Sequence, residues 1–247
     1  MADYNNPIAR GRGQVAGAID AGLRAYMLSV YNYMFVGLVL TGATAWMVAS
    51  VPEIRALFFQ YDEATGRIGM SILGWIALFA PLGLVLLLSF RISRMSLPVA
   101  QATFWLYAAM MGIGIAPWLL LYTGASVAEV FFITAAMFGA MSLWGYTTRT
   151  DLTGFGSFLF MGLIGLLIAM LVNMFFQSAM VQWVVSVIGV LIFTGLTAYD
   201  TQKIKNMYVA NEDGTVSGRK AIFGALALYL DFINLFLFML RLMGSRR

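Results

Sequence analysis

The 247-residue chain has no cysteine and no histidine, and only five prolines. Without cysteine there is no disulfide framework, no thiolate nucleophile and no thiolate metal site. Without histidine the commonest metal ligand and general base is missing. Charge is scarce too: Asp, Glu, Lys and Arg make up 11% of the residues, against roughly a quarter in soluble domains. No Gly-x-Ser-x-Gly turn marks a serine nucleophile, and the glycines of "GRGQVAG" lack the Lys-Ser/Thr of a phosphate loop. The sequence therefore predicts neither an enzyme nor a bound cofactor.

What the chain has in abundance is apolar surface, at 61% of its residues. Uncharged runs of 18 or more residues recur, each long enough to cross a bilayer core of about 30 Å. Seven such segments are expected, at about 26–50, 69–90, 99–122, 126–146, 154–176, 180–208 and 219–243. The fold class is an all-α integral membrane protein in contact with the lipid bilayer. Residues 1–24 read as a polar, mobile N-terminal segment and 25–247 as a single seven-helix domain. The first apolar run lacks a small-residue cleavage site, so it is retained and not a signal peptide.

The net charge of +4 reports topology here and gives no reason to expect nucleic acid as a partner. With the N-terminus in the cytoplasm, ten Lys and Arg fall on the cytoplasmic side and five on the other, as the positive-inside rule requires. The tail "RLMGSRR" puts three arginines on the outer side. Either the rule is broken there, or the last segment does not cross fully.

Two carboxylates interrupt the apolar pattern. Asp231 lies near the middle of "ALYLDFINLFLFMLRLMG", and Asp200 ends the run in "GLTAYDTQKIK". Ionisable groups within a membrane face the bundle interior or water and mark ion or proton paths by default. Asp200 lies 14 residues before Gly214, and Asp231 lies 17 after it. In an antiparallel helix pair turning near Gly214, the difference is roughly 4.5 Å in depth. The two acids are thus expected at nearly matched depth on adjacent helices.

Held together, such a pair shares one proton and offers hard oxygen ligands to a divalent cation such as calcium. Arg91, closing "GLVLLLSFR", ends its helix on the same side and is a candidate counter-charge. On the last helix, Gly224, Ala227, Asp231, Asn234 and Phe238 fall on one stripe with Arg241 at its margin. Small residues there suit close helix packing, while Asp and Asn suit a hydrated path, which makes Asn234 a candidate pore residue. In "MGIGIAPWLL", Gly112, Gly114 and Pro117 predict a kinked helix that would stand beside such a path. "VANEDGTVSG" is a hairpin turn; its twelfth position from Asn211 is Ile222, so it is no calcium loop.

"AYDTQKIK" and "LYLDFINLFLFMLRLMG" resemble the two most recognisable stretches of the Bax inhibitor-1 family, particularly its bacterial inner-membrane branch. The resemblance covers most of the chain from about residue 25. It implies a bundle in which the last helix is central, wrapped by six others. It also implies a pH-sensitive calcium leak, a property associated with the family along with suppression of cell death in eukaryotes. The family's paired aspartates fall on Asp200 and Asp231, and its latching arginine on Arg91. Two other functions fit the same residues: a proton-coupled secondary transporter, and an interaction protein that modulates a membrane protease or stress response. An aspartyl intramembrane protease is only half matched, by Tyr199-Asp200 without the glycines before Asp231.

Overall fold

The computed structural model describes the backbone of residues 7–62 and 67–247, and the side chains of 21–60 and 69–247. Eight α-helices make up the described chain: α1 (Pro7–Ser50), α2 (Pro52–Phe58), α3 (Ile72–Arg91), α4 (Leu97–Leu121), α5 (Gly124–Thr147), α6 (Thr153–Phe176), α7 (Ala179–Asn206) and α8 (Gly214–Met243). All but the short α2 contain a stretch long and apolar enough to cross a membrane, which makes seven spans. Helices are the natural answer to lipid, because they satisfy every backbone polar group within the segment. The polar segment expected over 1–24 lies partly outside the described residues, and from Pro7 onward its backbone belongs to α1.

The link after α1 is more ordered than a loop. Pro52 starts α2 at a position where its missing N–H costs nothing. Strands β1 (Phe59–Asp62) and β2 (Arg67–Met70) then pair antiparallel, with Phe59 opposite Met70. Ser71 caps α3 by accepting a hydrogen bond from the Gly74 amide at 3.0 Å. A 3-10 turn, Ile92–Arg94, leads from α3 towards α4.

Helix α8 is the axis of the bundle. Of its most apolar stretch 72% is buried, against 17% for α6, so the other spans wrap α8 and α6 faces lipid. Helices α1, α4, α5 and α7 all pack on α8. Since lipid solvates apolar side chains as well as protein does, close packing and internal hydrogen bonds must hold these contacts. Tyr229 of α8 provides both. Its hydroxyl bonds Thr41 Oγ1 of α1 at 2.7 Å, and its ring meets those of Tyr107 and Phe104 edge-on at 5.5 and 6.1 Å.

The C-terminal residues are tied to the α4–α5 junction. The Thr123 amide donates to the Ser245 carbonyl at 3.0 Å, the Arg247 amide to the Leu121 carbonyl at 3.0 Å, and the Ser245 amide to Ser126 Oγ at 2.8 Å. Helix α8 therefore runs the full depth of the bundle, and the tail ends on the face opposite the α7–α8 turn. Arg241 is accommodated near that face with its guanidinium 5.0 Å from the Trp118 ring and 5.4 Å from the Phe238 ring.

Candidate functional site

Helices α7 and α8 lie side by side and antiparallel. Gly224 backs onto Ile204, each ten residues from Gly214, and Gly189 backs onto Phe238 further along. The register is thus symmetric about residue 214, although α7 already ends at Asn206. Helix α8 overshoots α7 by about eight residues, or roughly 12 Å, and the connection 207–213 spans the offset. It is pinned by Lys220, which bonds the Met207 carbonyl at 3.1 Å and the Glu212 carboxylate at 2.7 Å.

This register brings Asp200 and Asp231 together. Their carboxyl groups come near enough to interact across the helix interface, and both residues line one cavity. Two carboxyls held this close cannot both ionise cheaply, so such a pair tends to share one proton. Asp231 is only 4% exposed, and its Oδ2 has no hydrogen-bond partner. Asp200 is half-buried and feels the positive charge of Lys203, one turn along the same helix.

The pair opens into a cavity of about 750 Å³ between α6, α7 and α8. Asn234 also lines it, its amide nitrogen donating to the Leu230 carbonyl at 2.8 Å. The stripe on α8 thus divides by neighbour. Gly224 and Phe238 serve tight packing on α7, while Ala227, Asp231 and Asn234 face the cavity. On the other side, Gly156 lets α6 approach the Tyr199 ring, where a Cβ would collide.

Arg91 is exposed at the end of α3 and forms no ion pair with either aspartate. The cation beside the pair is Lys203, which sequence reasoning counted only as a topological charge. The signal was present, since a lysine three residues after an aspartate shares its helix face. Gly112, Gly114 and Pro117 do not line the cavity. Gly112 is buried where α4 crosses α1, and a Cβ there would meet the Thr41 carbonyl; Gly114 has open space around it. Among the described residues no group of three or more Asp or Glu could hold a metal ion.

The family model described as "Inhibitor of apoptosis-promoting Bax1" matches residues 23–247. The chain is 48% identical to the inner membrane protein YbhL of Escherichia coli, over 92% of this chain and 94% of that protein. It is 49% identical to RP147 of Rickettsia prowazekii over 92% of both chains. A Caulobacter vibrioides protein is 44% identical along the full length of both.

Proposed function

The chain belongs to the Bax inhibitor-1 family, and on that premise we propose that it is a pH-sensitive cation leak with calcium as permeant ion. The observation that carries this reading is the contact between the Asp200 and Asp231 carboxyls in the wall of a cavity, with one oxygen of Asp231 unpaired. We place the protein in a bacterial cytoplasmic membrane with its N-terminus inside. The Escherichia coli relative, an inner membrane protein by name, and the ten-to-five distribution of Lys and Arg support that placement.

The chemistry sets the sign of the pH effect. With one shared proton the pair carries a single negative charge, and loss of that proton makes it two. A divalent cation competes with the proton for the same oxygens, so cation entry is favoured as pH rises. Two carboxylates supply few of the six to eight oxygens that calcium takes, which suits passage and not storage. Lys203, exposed at the cavity mouth, is the counter-charge we assign to the pair in this conformation. The reading gives the aspartates no bond-breaking role.

Protein reconstituted in liposomes holding a calcium dye tests this. A leak passes calcium down its own gradient alone. Saturable uptake that requires a proton gradient would identify a transporter instead, and no flux at all would favour an interaction protein.

A further inference from the structure

Helix α6 packs on α7 and stands off α8, and the aspartate cavity fills the gap. Sideways, the exposed rings and chains of Phe160 and Met161 put lipid against it, and a bare cation does not enter lipid. The way from the pair to the outer face therefore follows the stripe of α8, past Asn234 to Phe238 and Arg241.

That way is closed twice. Phe193 lines the cavity and stacks on Phe238 with ring centres 5.8 Å apart. Both rings are buried, and Phe238 is seated so closely on Gly189 of α7 that a Cβ there would collide with it. Behind the rings stands Arg241, ten residues from Asp231 and so roughly 15 Å further out. Its guanidinium is half-buried between the rings of Phe238 and Trp118, at 5.4 and 5.0 Å. Its Nε has no hydrogen-bond partner, and among the described residues it forms no ion pair. A guanidinium keeps its proton in such surroundings, so the rings hold a positive charge in place without neutralising it.

We propose that Phe193, Phe238 and Arg241 form the outer gate of the aspartate cavity, with the rings as plug and the Arg241 charge as the barrier that sets selectivity among cations. The gate rests on the leak reading, whose ions it regulates. Fixed charges of this kind exclude ions from other membrane pores. Coulomb energy is proportional to the charge of the ion. The factor by which Arg241 slows a divalent cation is therefore the square of the factor for a monovalent one. A steric role alone would not depend on ionic charge in this way.

The test is calcium and potassium flux through the full chain in liposomes at one pH, compared between wild type and Arg241→Gln. Removing the charge should raise potassium flux about threefold and calcium flux about tenfold. The chain has no cysteine of its own, so Arg241→Cys gives a second arm within one folded protein. A cationic methanethiosulfonate reagent should return its leak towards the wild-type level, and a neutral reagent of like size should not. Flux unchanged in Arg241→Gln, equal factors for the two cations, or equal effects of the two reagents would overturn the gate. Wild type and variants that all pass neither cation would instead sink the leak reading, and the gate with it.

Discussion

The carboxyls of Asp200 and Asp231 meet across the α7–α8 interface, yet only Asp200 has a cation beside it, Lys203. The arrangement is asymmetric in charge as well as in burial, because Asp231 is the deeper of the two. Position along the cavity thus separates the roles. Asp200 faces the water-side mouth with a basic neighbour, and Asp231 holds the inner end alone.

Lys203→Gln removes the positive charge that opposes protonation of the pair. The midpoint of calcium flux should therefore move to higher pH. Flux measured across a pH series in liposomes gives the shift; a midpoint moving to lower pH would remove Lys203 from the account.

Gly112→Ala should destabilise the bundle by about 1–3 kcal/mol, the usual cost of overpacking, because its new Cβ meets the Thr41 carbonyl of α1. Gly114→Ala, two residues on, meets nothing and should stay within about 0.5 kcal/mol of wild type. Thermal unfolding in one detergent compares the two. If the glycines instead lined a pore, flux would change in both and stability in neither.

Thr41→Val should cost more than Tyr229→Phe. The single Thr41 hydroxyl proton has the carbonyls of Gly37 and Ala108 within reach as acceptors at 2.9 and 2.8 Å, so loss of the Tyr229 hydroxyl leaves it bonded. Removing Thr41 Oγ1 strands the Tyr229 hydroxyl in the core, at about 1–3 kcal/mol. Equal unfolding temperatures for the two variants would contradict this network.

Outside the membrane, Asp151 accepts from Thr153 Oγ1 at 2.6 Å and from the Thr153 amide at 2.9 Å. The Thr153 side-chain and backbone bonds hold its carboxyl below the ordinary aspartate value. A depressed acid stabilises the fold above its unfolded value, and that contribution is lost as pH falls through the folded one. Thr153→Val should bring the Asp151 titration back up towards that of a free aspartate, read by carboxyl-selective NMR.

Much of this was legible in the sequence because lipid restricts the options. An uninterrupted apolar run long enough to cross has to be a helix, and each of the seven expected segments overlaps one. The last segment begins at Gly214, earlier than expected, since "GTVS" reads as turn but already winds into α8. Depth matching about Gly214 put Asp200 and Asp231 at nearly one level because helix rise is constant, and left open whether they face each other. Rotation about a helix axis is not written in spacing, so the stand-off of α6 from α8 was invisible. The place of Arg91 away from the pair was hidden for the same reason, whereas Lys203 could have been placed beside Asp200 from their i, i+3 spacing. The strand pair β1–β2 lay in a link with no clear periodicity.

Calcium flux into dye-loaded liposomes, compared between wild type and Asp231→Asn across pH 5 to 8, tests the central claim most directly. The account predicts flux that rises with pH in the wild type. In the variant it should fall about tenfold or more, equivalent to ~1.4 kcal/mol in the barrier, and lose its pH dependence. Flux and pH profile unchanged in folded Asp231→Asn would contradict it.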